Sequence, residues 1–143
     1  MAGTTRTATN HWEGDLLTGN GQVTLESSGV GTFDVSWPSR AEEANGKTSP
    51  EELIAAAHSS CFNMAFSGAL AKAGTPPTSL DTTAAVTFVP GTGITGVVLS
   101  VVGAVPGMSA EDFQAAAEGA KEGCPVSQAL KAVPISLEAS LSE

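Results

Sequence analysis

The feature that most limits how this chain can fold is the run from Leu53 to Ala71, which holds no Asp, Glu, Lys or Arg. Just before it stands Ser49-Pro50-Glu51-Glu52. Ser49 is placed to cap a helix, Pro50 suits the first helical position, and Glu52 can close a capping box. Gly74 and Pro76-Pro77 then end the pattern, so one long helix is expected from Pro50 to about Ala73. Length alone would let such a helix cross a membrane. His58, Ser59, Ser60, Asn63, Ser67 and Gly68 interrupt the apolar run, so the expectation is a central helix buried inside the protein.

Short alternating segments surround this helix. Asn10–Gly14, Gln22–Glu26 and Thr32–Trp37 read as three strands, punctuated by Gly19-Asn20-Gly21 and Ser28-Gly29, which predicts an antiparallel meander. Asp81–Val89 and Ile94–Val105 are rich in β-branched residues and are split by Pro90-Gly91, which predicts a second hairpin. Ser109 with Asp112 opens a second helix that Gly123 stops. Pro125 starts a short helix through Leu130, and Ile135–Leu141 alternates as a last strand. The order places helices beside antiparallel sheets, an α+β class. With 143 residues and no repeat or linker, one domain spanning 1–143 is expected.

The net charge of −9 argues against nucleic acid and anionic membranes as partners, since both need Lys/Arg patches. Met1–Arg6 runs straight into polar residues with no apolar segment of the kind an export signal carries, so a cytoplasmic location is expected. Two cysteines in a reducing compartment do not suggest a static disulfide.

Cys61 lies midway along the expected helix, far from the N-terminal dipole that could acidify it. To become a thiolate it needs a cation near it in space. Arg6 and Arg40 are the only arginines, and Arg40 follows the third strand in what reads as a loop suited to reaching a site. Glu51 stands ten residues before Cys61, about 15 Å along a helix axis. If both line one pocket, Glu51 must come from a second copy of the chain, as in a two-fold dimer with antiparallel long helices. Cys124, in Gly123-Cys124-Pro125, occupies a turn between helices, where a thiol can be acidified and accessible. Its distance in sequence from Cys61 excludes a local CxxC motif but allows a long-range pair. His58, one turn before Cys61, makes a Cys–His hydrolase thinkable, against the plainer role of a packed, hydrogen-bonded histidine. A zinc site from Cys61, Cys124, His11 and His58 matches no finger or ribbon spacing.

Taken together, His11-Trp12-Glu13-Gly14-Asp15, the segment Thr48–Phe62, Thr78–Ala84, Val105-Pro106-Gly107 and Gly123-Cys124-Pro125-Val126-Ser127 resemble the OsmC/Ohr family. The resemblance covers nearly the whole chain. Ala57-His58 before the first cysteine and Arg40 after the third strand are more similar to its osmotically inducible (OsmC) branch than to its organic hydroperoxide resistance (Ohr) branch. Ser49 stands where the family usually has Asn. The resemblance implies an intertwined homodimer with active sites at the interface. It also implies peroxidase chemistry without metal, haem or other cofactor, in defence against oxidative and osmotic stress. On it, Cys61 is the peroxidatic cysteine, Cys124 the resolving cysteine, Arg40 the thiolate-stabilising cation and Glu51 its acidic partner. A hydroperoxide would be the substrate and an external dithiol the reductant. The competing readings are a stress-induced protein holding an apolar ligand and, behind it, the Cys–His hydrolase.

Overall fold

Alternation and turn residues act first at the N-terminal end. β1 (Thr9–Glu13), β2 (Asn20–Thr24) and β3 (Thr32–Val35) form a sheet in that order. Both pairings are antiparallel, with Trp12 opposite Gly21 and Val23 opposite Phe33. The computed structural model describes residues 2–142 and divides into two units, Met1–Pro50 and Glu51–Glu143. The first holds this meander and a short helix, α1 (Trp37–Ala41). Ser36 and Ser39 cap α1 reciprocally, a serine pair in place of the usual Ser/Thr–Glu box. The expected third strand therefore ends early, because Ser36 and Pro38 turn the chain into a helix.

The second unit is built on α2 (Pro50–Lys72), β4 (Ser79–Val89), β5 (Gly93–Ala104), α3 (Ala110–Gly123), α4 (Pro125–Ala129) and β6 (Ile135–Leu141). Gly74, at φ +88°, ends α2: Thr75 N–H donates to the Leu70 carbonyl and Gly74 N–H to that of Ala71. This is a Schellman turn, which needs the left-handed backbone that glycine adopts freely. The β4–β5 hairpin is antiparallel. β6 joins the other side of β5 in parallel, Leu99 opposite Leu137, and α3 and α4 supply the crossover that a parallel pair requires.

One face of this sheet carries Val97, Leu99 and Val101, all buried, and they share a core with Phe62, Phe66 and Leu70 of α2 and Phe113, Ala117 and Ala120 of α3. The Phe62–Phe66 and Phe66–Phe113 ring centroids are 5.5 and 5.1 Å apart, within the range of favourable tilted pairs. A side chain at Gly103 would meet the Phe113 ring at 2.6 Å, so the missing Cβ lets α3 close on the sheet. Asn63 fixes α2 along β4: its amide donates to the Leu80 carbonyl at 3.2 Å, and Thr82 Oγ1 donates to its side-chain oxygen.

Burial of α2 falls on a single stripe of Glu51, His58, Phe62, Phe66 and Leu70. The helix is long and apolar enough to span a membrane, but only 22% of that window is buried. Ala57, Ser60, Met64, Gly68 and Ala71 form an uncharged exposed stripe, with Met64 75% accessible. The buried helix expected from the sequence is thus buried on one face within the chain.

Candidate active site

Pro125 builds the centre of the site. Its ring disfavours helical backbone at the preceding residue, and Cys124 is extended, at φ −63° and ψ 124°. Helix α3 must stop there, so proline rather than Gly123 ends it, and α4 begins at once. Cys124 is both the C-cap of α3 and the N-cap of α4. Its N–H donates to the Ala120 carbonyl at 2.9 Å, and its carbonyl accepts from Gln128 N–H at 3.0 Å. The thiol is fully buried in the core. This corrects the sequence expectation of an accessible Cys124: the turn faces inward, where Val126 and Leu130 pack against the same cluster.

Cys61 is half-buried on α2, and both cysteines are free thiols. Their thiols are close enough for each to shift the other's ionisation, so the fold brings together two residues that spacing alone could only allow to meet. Burial pushes the Cys61 thiol up, the Val126 N–H offsets part of this, and the neighbouring Cys124 raises it further. Burial also raises Cys124, but the Ser127 N–H, the Cys61 thiol, the Ser127 hydroxyl and the Val126 N–H outweigh it and lower its pKa overall. A thiolate on Cys61 requires a further positive charge at its sulfur.

His58 and Ser127 lie behind the pair. The His58 Nε2–Ser127 Oγ distance is 2.7 Å, and both residues are buried. His58 Nδ1 has no hydrogen-bond partner, and burial lowers the imidazole pKa. Sequence reasoning left the part played by His58 open and assigned none to Ser127. The signal was present, since each stands three residues from a cysteine, one helical turn away.

Arg40 occupies the last turn of α1, not a loop. It lines a cavity of about 260 Å³ with Asn10, Trp12, Leu16, Val35, Trp37 and Pro50, an apolar setting for a cation. Glu51 is buried in the first turn of α2, about 15 Å along the helix from Cys61 by the rise per residue. Lys121 lies with Ser127 on a cleft of about 180 Å³, where Glu118 and Glu122 hold its ammonium at 3.1 and 3.7 Å. No group of three or more His, Cys, Asp or Glu side chains suited to a metal ion occurs among the described residues.

Residues 43–138 match the family model for OsmC-like proteins. The chain is 47% identical over 125 residues to a peroxiredoxin OsmC from Escherichia coli K12, covering 85% of this chain and 87% of that one. It also superposes on the crystal structure of an organic hydroperoxide resistance protein OsmC from Legionella pneumophila. There the TM-score is 0.74 at 26% identity, with both chains fully covered. An organic hydroperoxide resistance protein from Elizabethkingia anophelis gives a TM-score of 0.71 at 27% identity, covering 99% of this chain and 98% of that one.

Proposed function

The chain belongs to the OsmC-like family, and on that premise we propose how this thiol-dependent peroxidase of stress defence uses its two cysteines. The observation that carries the proposal is the pairing of a half-buried Cys61 with a buried Cys124. Cys61 is the sulfur that a peroxide can reach. As thiolate it attacks the O–O bond, releases an alcohol or water and becomes a sulfenic acid. Cys124, whose thiolate the Ser127 N–H, the Ser127 hydroxyl and the Val126 N–H favour, attacks that sulfur and expels water to leave a disulfide. An external dithiol, entering at the more accessible Cys61, restores both thiols.

Arg40 supplies the positive charge that Cys61 needs, with Glu51 orienting the guanidinium. The two units of each chain act as one functional domain, and two chains form a homodimer whose interface completes each site. Support for the dimer comes from the uncharged open stripe of α2 around Met64 and from the length of helix between Glu51 and Cys61. The cytoplasm is the compartment in which such dithiol recycling is sustained.

Counting free thiols after one equivalent of hydroperoxide tests the chemistry. Two thiols per chain should disappear. A protein that merely holds an apolar ligand, or a Cys–His hydrolase, would lose none. Light scattering at micromolar concentration should give twice the 14.3 kDa chain mass, and a stable active monomer would refute the shared site.

A further inference from the structure

The buried contact between α2 and α4 offers a device for the second half of the reaction, and the inference rests on the cysteine roles above. We propose that His58 and Ser127 are positioning residues for resolution: His58 Nε2–H donates to the Ser127 hydroxyl, which turns its own proton onto the Cys124 sulfur. Ser127 is the third residue of α4, and Cys124 is that helix's N-cap. Its backbone N–H and its hydroxyl both favour the Cys124 thiolate. A serine hydroxyl has one proton to give. If Ser127 spent it on His58, the Cys124 sulfur would lose that donor.

The histidine fixes which way the proton points. With Nε2 protonated, the unpartnered Nδ1 is a bare lone pair. With Nδ1 protonated, a buried N–H would be orphaned, which is the rarer and costlier arrangement. Burial keeps the ring neutral, so it carries one N–H and one lone pair. The result is a chain of donors running from His58 through Ser127 to Cys124, formed by residues one turn from each cysteine.

In the resolving step Cys124 gives up its thiol proton, and its sulfur attacks the sulfur of the Cys61 sulfenic acid. The S–O bond breaks, the S–S bond forms, and the departing hydroxide takes the proton as water. The peroxide has already supplied the oxidising equivalents, so no other oxidant enters. The Ser127 hydroxyl holds the attacking thiolate in place and ready.

The experiment uses the full chain in its reduced form, mixed rapidly with one equivalent of tert-butyl hydroperoxide. Dimedone trapping with intact-mass detection follows the Cys61 sulfenic acid, and loss of the second thiol follows the disulfide. Ser127→Ala and His58→Leu should form sulfenic acid within about twofold of the wild-type rate but close the disulfide about tenfold more slowly, the scale of one hydrogen bond to a charged group. His58→Gln, which keeps a donor near Nε2 but cannot titrate, should recover most of what His58→Leu loses. Disulfide closure at the wild-type rate in Ser127→Ala overturns the proposal, as does equal slowing of both steps. So does a His58→Gln variant as slow as His58→Leu. Should His58→Leu fail to fold, Ser127→Ala and His58→Gln decide the matter. Absence of any Cys61 sulfenic acid in the wild type would remove the cysteine roles, and this inference with them.

Discussion

Across 69 residues of sequence, the Nε2 atom of His58 meets the Ser127 hydroxyl at 2.7 Å, and both side chains are closed off from water. That contact holds α2 to α4 behind the thiols, and it makes a neutral imidazole part of the folded state.

A consequence for stability follows. Burial lowers the His58 pKa from its ordinary 6.5, whereas in the unfolded chain the ring protonates near that value. Between the two pKa values the unfolded state binds more protons, so stability rises with pH across this window. The contribution is complete above about pH 6.5 and is lost as pH falls below it, with a slope of at most about 1.4 kcal/mol per pH unit. Urea midpoints at pH 8 and pH 5.5 should therefore fall further for the wild type than for His58→Gln. Equal falls would mean that His58 titrates freely.

The cysteines should fail in different ways. Cys61→Ser should abolish turnover, because the remaining thiol, Cys124, is fully buried. Cys124→Ser should consume about one peroxide, stall as the Cys61 sulfenic acid and drift to the irreversible sulfinic acid. Intact-mass spectra after graded peroxide additions distinguish these products. Two unmodified variants, or two that turn over, would reverse or remove the assignment of roles.

Most of the elements were legible because local signals agreed with the tertiary structure. Ser109 caps α3 through Asp112 N–H at 3.1 Å, and alternation marks β6 over Ile135–Leu141. Three features were not legible in that way. The parallel pairing of β6 with β5 depends on the crossover through α3 and α4, which no local pattern encodes. The burial of Cys124 depends on which way the Pro125 turn faces, and core residues distant in sequence decide that. Arg40 was expected in a loop because it follows the third strand, yet proline at a helix's first turn is well tolerated, and the Ser36–Ser39 caps supply the rest of α1.

Removing the guanidinium should act on reactivity at Cys61. Burial raises this thiol's pKa within its own chain, and a nearby positive charge favours the thiolate. In Arg40→Ala the midpoint of Cys61 alkylation should accordingly move to higher pH, and peroxide consumption at pH 7 should slow. An unchanged alkylation profile would place Arg40 away from the thiols. To isolate the Cys61 signal, the measurement belongs in a Cys124→Ser background.

Organic hydroperoxides should be reduced faster than hydrogen peroxide. With Arg40 at the Cys61 sulfur as proposed, a peroxide's alkyl tail would meet the walls of the cavity that holds Arg40, namely Trp12, Leu16, Val35, Trp37 and Pro50, of which Trp12 and Leu16 expose 38% and 55% of their surface. An alkyl tail entering such a cavity gains roughly 25 cal/mol for each Å² removed from water. Burial of about 60 Å² would contribute on the order of 1.5 kcal/mol, or about tenfold in kcat/KM if the gain persists in the transition state. Hydrogen peroxide has no tail and collects none of it. Stopped-flow kcat/KM values for cumene or tert-butyl hydroperoxide and for hydrogen peroxide, with one reductant at one pH, give the comparison directly. Leu16→Asn should shrink the preference by lowering the organic values while leaving the hydrogen peroxide value nearly unchanged, since a neutral amide there takes away apolar wall without placing a charge beside Arg40. Equal rates for the three peroxides in the wild type, or a preference untouched by Leu16→Asn, would mean that the tail binds elsewhere or not at all.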